Sequence, residues 1–206
     1  ARAELAPLPD APQVLGRLLS RYVQLAKVHR NHAFAMLADP KSLAPTSVFL
    51  TSLMARAYAL LAPQPHEGPL DLFLDMVELI PRLFRREMLP GGREYWFLEN
   101  PCAKADNLAA SMNTEGRQQA FRQWHEKLRA DLDSLLGAID RGLGLDVVAK
   151  AVEACFGLKA RDAVIRQGAQ RRDDYRALGK AGFIVAGAMP VVASAKPHTY
   201  FGGELR

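Results

Sequence analysis

Apolar residues recur every three to four positions from about residue 13 to residue 37, at Leu15, Leu18, Leu19, Tyr22, Leu25, Ala26, His29 and Ala33. That period predicts an amphipathic helix, ended by Asp39-Pro40. Gln24, Lys27 and Asn31 fall on the side away from the apolar stripe. A second helix is expected to begin near Pro45, with Ser42, Thr46 or Ser47 as its cap. Its body, residues 48–61, carries Phe49, Leu50, Leu53, Met54, Tyr58 and Leu60 and is apolar on nearly all sides, the pattern of a central buried helix. Residues 63–68 read as a loop. Pro69 opens a third helix through Phe73, Met76, Val77, Ile80 and Phe84, with a kink expected at Pro81.

Pro90-Gly91-Gly92 marks a turn, and Glu94-Tyr95-Trp96-Phe97-Leu98 is the one strand-like run. It is too short and solitary to imply a large sheet, and Glu99-Asn100-Pro101 breaks it. Asn113 or Thr114 is the expected cap of a long helix to about Ile139, whose stripe is Phe121, Trp124, Leu128, Leu132, Leu135 and Ile139. Gly142-Leu143-Gly144 turns the chain, Asp146 is the expected cap of a short helix to Phe156, and Gly157 ends it. A polar helix follows over residues 159–178. The fold expected is mainly α: a bundle of about six helices with one short strand-like segment and an extended C-terminal tail. Residues 1–12 read as a linker, 13–180 as the helical lobe, and 181–206 as a tail anchored by Tyr200-Phe201.

The 206 residues suffice for one domain or two small ones, and 49% apolar with 24% charged residues is ordinary for a globular protein. The formal charge of +5 favours polyanionic partners, nucleotides or nucleic acid. Cys102 and Cys155, far apart in sequence, form no disulfide framework and fit a reducing cytoplasm. No run of about 20 apolar residues predicts a membrane span. The chain opens on Ala1, and its first residues read as mid-protein, so a fragment of a longer protein is expected.

The sharpest candidate chemistry is Lys27 with Ser47. A helix N-terminus gathers unpaired N–H groups and the positive end of the helix dipole, so with a nearby lysine it suits a phosphate. The competing reading is a solvated lysine and an ordinary serine at a helix start. His29 and His32 lie three apart, but no third metal ligand is placed and His29 is on the apolar stripe, so a packed core histidine is expected. Trp124 and His125 read as one core residue beside one exposed residue. Asp131 and Asp133 have the spacing of a metal-binding acid pair, yet they sit in a regular helix with no Gly-Ser loop before them and are expected to be solvated. No Ser/His/Asp or Cys/His arrangement and no Gly-rich phosphate loop is present. Arg161, Arg166, Arg171, Arg172 and Arg176 make a basic stretch interrupted by Asp162, Asp173 and Asp174, which favours a solvated face.

Several short stretches, in order, resemble one family. Val23-Gln24-Leu25-Ala26-Lys27-Val28-His29-Arg30 resembles the V-Q-L-L-K-R-H-R-D spine helix of bacterial cGAS/DncV-like nucleotidyltransferases. Pro45-Thr46-Ser47-Val48-Phe49-Leu50-Thr51-Ser52-Leu53 resembles the family's P-I-S-I-I-L-T-T-L. Trp96 to Pro101 is similar to W-x-x-x-N-P, Asp106-Asn107-Leu108 to E-N-F, and Phe121-Arg122-Gln123-Trp124 to F-x-x-W. Pro197-His198-Thr199-Tyr200-Phe201-Gly202 is similar to the terminal P-H-T-F-Y-G. The resemblance departs at Ala26, Val28 and Asn31.

Enzymes of that family make cyclic oligonucleotide second messengers from NTPs in anti-phage defence. They join a polymerase-β-like lobe carrying Mg²⁺-binding acids to a C-terminal helical lobe. The resemblance covers the helical lobe alone. It implies that Lys27 and Ser47 contact the donor triphosphate, ATP or GTP, with Mg²⁺ held by acids of the other lobe and defence-operon proteins as further partners. On that reading the chain is inactive by itself. The alternative is a helical protein- or nucleic-acid-binding module that uses the basic face and has no catalysis.

Overall fold

In the computed structural model the backbone is described for residues 12–35 and 43–177, and side chains for residues 17–35 and 43–174. The expected linker, apart from Pro12, and the expected tail with Tyr200-Phe201 lie outside the described residues, as does the Asp39-Pro40 helix stop. The architecture is mainly α. Six α-helices are described: α1 (Pro12–Phe34), α2 (Ser47–Leu61), α3 (Pro69–Leu79), α4 (Arg117–Asp140), α5 (Leu145–Phe156) and α6 (Leu158–Ala177). Four short strands lie between α3 and α4: β1 (Arg85–Met88), β2 (Glu94–Phe97), β3 (Glu99–Asn100) and β4 (Ala103–Asn107). Among the described residues no helix is long and apolar enough to cross a membrane. The chain divides into two units, residues 1–132 and 133–206.

In the first unit, α1 buries Tyr22, Val23, Ala26, His29 and Phe34. Leu25, expected on this stripe, is 37% exposed. It stands at one edge of the buried arc, and Val23 at the opposite edge is covered instead. Helix α2 buries Phe49, Leu50, Leu53, Met54, Ala57 and Tyr58, but Val48 and Leu60 face solvent, so it is central on one side only. Thr46 is the cap: its Oγ1 accepts the Phe49 N–H at 3.4 Å. Ser47 is the first helical residue.

Pro81 ends α3 where a kink was expected. Residues Ile80–Arg82 form a 3-10 turn, because proline brings no N–H to the helix and its ring clashes with the preceding turn. The chain then passes straight into β1. Strand β1 pairs antiparallel with β2 (Arg86 opposite Trp96), and β3 pairs antiparallel with β4 (Glu99 opposite Asn107). The strand-like run around Trp96 is therefore not solitary. Gly91 and Gly92 have φ of 88° and 77°, a left-handed conformation that suits glycine and closes the β1–β2 turn.

Two asparagines hold β2 from the side opposite β1. Asn113 Oδ1 accepts the Trp96 N–H at 2.7 Å, and its Nδ2 donates to the Trp96 carbonyl at 2.9 Å. Asn107 Nδ2 also donates to the Trp96 carbonyl at 2.9 Å, while its Oδ1 accepts the N–H groups of Leu98 and Ala109, each at 2.9 Å. Asn113 is thus occupied with β2 and does not cap α4. Thr114 does not cap it either, since its Oγ1 donates to the Ser111 carbonyl at 3.1 Å. Trp96 is fully buried against Phe49, Phe84 and Phe121, with ring centroids 6.4, 4.6 and 5.4 Å away.

The second unit contains residues 133–140 of α4 with α5 and α6. Leu135, Ala138, Val148, Val152 and Cys155 form its core, and Ile139, Phe156, Ala160 and Val164 pack against it. Gly144 precedes α5 without a side-chain cap, and Asp146 lies in the first turn rather than at the cap. Helix α6 carries few apolar residues. Arg161 pairs with Glu153 and Asp162, each at 2.9 Å, and Gln170 donates to Asp174 at 3.1 Å, as on a solvated face.

Candidate functional site

A cavity of about 640 Å³ lies where the end of α1 meets the start of α2. Arg30, Asn31, Thr46, Ser47 and Arg117 are its polar lining, and no carboxylate is among the described lining residues. Arg30 sets the geometry. Its Nε and Nη2 donate to Asn31 Oδ1 at 3.1 and 2.8 Å. Its Nη1 donates to the Pro45 carbonyl at 2.8 Å and to Ser47 Oγ at 3.2 Å. All these acceptors are neutral, and neither Arg30 nor Arg117 has an acidic partner among the described residues.

Burial pushes the Arg30 guanidinium below its ordinary value, yet an arginine keeps its charge at neutral pH. Two cations without counter-charges among the described residues therefore stand beside a helix N-terminus. Thr46 Oγ1 takes the Phe49 N–H, and the N–H groups of Ser47 and Val48 have no acceptor within the helix. Such a place attracts an anion with several acceptor oxygens.

Ser47 is exposed on the wall of this cavity. Lys27 is half-buried, makes no hydrogen bond or ion pair among the described residues, and does not line the cavity. It stands one turn before Arg30 and Asn31 on the same helix stripe, since positions three and four apart are neighbours. The cation brought to Ser47 is thus Arg30, with Lys27 beside the cavity. Arg30 lies between the polar side and the buried face of α1, so the helical period alone does not single it out. Arg117 carries no local signal, because only the folded chain brings it near.

A second cavity of about 320 Å³ is lined by Glu78, Arg82, Arg86, Arg122, His125 and Arg129 among others. There Arg129 pairs with Glu78, and Arg122 with Glu94, so the charges are largely satisfied internally. His125 is buried rather than exposed, because its Nε2 donates to the Val77 carbonyl at 2.8 Å.

His29 is a core histidine, 1% exposed. Its Nδ1 accepts from Trp124 Nε1 at 3.0 Å, and its Nε2 lies 2.9 Å from Asp131 Oδ2. The indole nitrogen is donor only, so Nδ1 must carry the lone pair and Nε2–H donates to Asp131. Lys127 Nζ reaches both Asp131 oxygens, at 3.0 and 2.9 Å. Asp131 is therefore fixed between His29 and Lys127 rather than solvated, whereas Asp133 is exposed.

Burial pushes the His29 pKa down; the hydrogen bond and charge of Asp131 oppose this, and Lys127 and His32 reinforce it. A proton on Nδ1 would also face the Trp124 N–H. The unfolded chain thus takes up this proton more readily than the folded one. The stability contribution is whole above the ordinary histidine value of about 6.5 and is lost as pH falls below it. Urea unfolding should give a lower free energy at about pH 5.5 than at about pH 7.5, with a slope up to about 1.4 kcal/mol per pH unit from this group. His29→Gln should flatten the difference, and an unchanged profile in that variant would dismiss the assignment.

His66 is the residue that sequence reading passed over. It is buried in the loop before α3 and faces Asp71 and Asp75 on that helix. The spacing holds a signal, since two acids four apart share a helix face. His66 itself reads as an ordinary loop residue. No protein-family model matches the chain, and no curated protein matches it.

Proposed function

We propose that the cavity at the start of α2 binds the triphosphate of a nucleotide, and that this chain is the helical lobe of a nucleotidyltransferase that makes cyclic oligonucleotides. The observation that carries the phosphate reading is the pair of cations, Arg30 and Arg117, without acidic partners among the described residues, beside a helix N-terminus that no described carboxylate lines. Arg30 would grip phosphate oxygens through a guanidinium already held in place by Asn31 and the Pro45 carbonyl. Ser47 would donate its hydroxyl beside the first-turn N–H groups. Lys27, one turn away, would add charge at the rim. The further step to a cyclic-oligonucleotide synthase rests on the ordered resemblance of short motifs across the chain. With no acid among the described lining residues, Mg²⁺ would be held by carboxylates of a polymerase-β-like lobe, and the role of this chain would be positioning and charge neutralisation.

Calorimetric titration of ATP and GTP into the chain tests this. A hydrogen bond to a charged group contributes roughly 1.5–3 kcal/mol, so Arg30→Gln should weaken binding about ten- to hundredfold. Lys27→Ala, which removes a rim charge and no lining contact, is expected to weaken it less than Arg30→Gln, and so is Ser47→Ala, because the backbone donors remain. Arg30→Lys retains the charge but loses the fork, and should fall between. Equal affinities for wild type and Arg30→Gln, in a variant with an unchanged melting temperature, would remove the site.

A further inference from the structure

We propose that His66, Asp71 and Asp75 form a binding site for a first-row divalent transition ion of the zinc type. Asp71 and Asp75 stand one turn apart on α3, and His66 lies in the loop just before that helix. Its side chain is only 2% exposed. His66 Nε2 donates to the Leu61 carbonyl at 2.8 Å, which leaves Nδ1 as the ring's open coordination position. This Nδ1 is buried and has no hydrogen-bond partner among the described residues. It lies 3.3 Å from Asp75 Oδ2 and 3.8 Å from Asp71 Oδ2.

A nitrogen lone pair aimed at two carboxylates is repulsive until a cation stands between them. A histidine whose second ring nitrogen donates to a backbone carbonyl is the arrangement that orients an imidazole toward a metal. The spacing agrees with the chemistry. Ligands about 2.0–2.1 Å from a tetrahedral zinc lie about 3.4 Å from one another. One donor atom from each of the three residues falls within 4.8 Å of the others.

The Glu67 N–H donates to Asp71 Oδ2 at 3.0 Å and steadies that carboxylate. Asp71 and Asp75 are 42% and 52% exposed, so an ion has a path in and solvent can complete its coordination. The imidazole favours zinc-like ions over calcium or magnesium, which prefer oxygen ligands throughout. The ion would clip the loop to the first turns of α3. The site shares no residue with the α2 cavity, so neither proposal depends on the other.

The test uses the full chain in a Cys102→Ser background, which removes an exposed thiol that could bind metal. After chelator treatment and dialysis, Zn²⁺ is titrated by calorimetry without nucleotide, and thermal unfolding is followed with and without the ion. The expected result is one Zn²⁺ per chain and a raised melting temperature. Asp75→Asn, a surface change, should weaken binding about 100-fold or more, as should His66→Gln. Co²⁺ should give the visible spectrum of a four-coordinate ion in the parent and lose it in both variants. The proposal is overturned if Zn²⁺ binds Asp75→Asn as tightly as the parent. It is equally overturned if the parent's melting temperature ignores Zn²⁺ while both variants are destabilised in chelator, which would make the cluster a proton-bridged ion pair.

Discussion

Trp96→Ala should remove about 3–5 kcal/mol of unfolding free energy, the largest loss expected from any single truncation in the first unit. Trp96 has no solvent exposure, and its ring meets Phe49, Phe84 and Phe121 at centroid distances of 6.4, 4.6 and 5.4 Å. Removing the indole leaves a cavity that three rings from different elements cannot close together. Part of the loss should appear at the α2 cavity, because Phe49 lies in the helical turn that begins at Ser47. Loss of its stacking partner should loosen that turn and speed hydrogen exchange at the Leu50 amide, which donates to Thr46 at 3.0 Å. Trp96→Phe is the instructive control. The indole Nε1 is buried and has no hydrogen-bond partner, so phenylalanine loses ring volume and no bond. It should cost well under half as much as alanine. Urea unfolding of both variants measures the difference, and a Trp96→Ala loss below about 1.5 kcal/mol would mean the cluster repacks.

Asn113→Leu should cost about 2–4 kcal/mol, more than its modest size suggests. The amide of Asn113 answers both backbone groups of Trp96, and its Oδ1 also accepts from Gln118 Nε2 at 3.1 Å. Leucine leaves the Trp96 N–H without an acceptor in a dry setting; the carbonyl keeps Asn107. Asn113→Asp sharpens the test. It retains the acceptor for the N–H but points a second oxygen at the Trp96 carbonyl, so it too should be destabilising, and increasingly so as pH rises and the carboxylate ionises. Denaturant unfolding at two pH values reads this directly. A carboxylate variant as stable as the parent across that range would show that the amide's donor is dispensable.

The helices were legible because burial imposes a 3.6-residue period. The stripe from Phe121 to Leu135 on α4 is buried as read, and Ile139 packs against the second unit's core with Leu135. Strand β1 was not legible, since Arg85, Arg86, Glu87 and Met88 are all exposed and give no alternation. The β3–β4 hairpin was missed for the same reason, with most of β4 exposed. Cap assignments failed where a side chain had a better partner at long range: Asn113 is occupied by Trp96. At the candidate site, Ser47 on the cavity wall was readable from its place at a helix start, whereas Lys27, read from the polar side of α1, stands beside the cavity and does not line it. Arg30 lies between that side and the core, where a wheel diagram assigns it to neither. Asp131 was misjudged because its partner His29 lies far back in the sequence. Resemblance and packing also separate here. His29, Trp96, Phe121 and Trp124, all within the quoted motifs, form a chain of ring contacts in the core and are therefore explained by folding alone.

The asparagine brace on β2 also bears on what this molecule can recruit. Because side-chain amides occupy the Trp96 backbone groups, that edge offers no row of donors and acceptors to a strand from another chain. Within the β1–β2 hairpin the outer edge of β1 is the remaining one, four residues long and carrying Arg85, Arg86 and Glu87. Short, charged edges discourage strand addition and the fibrous association that follows from it. The β1–β2 hairpin is therefore a poor template for intermolecular pairing.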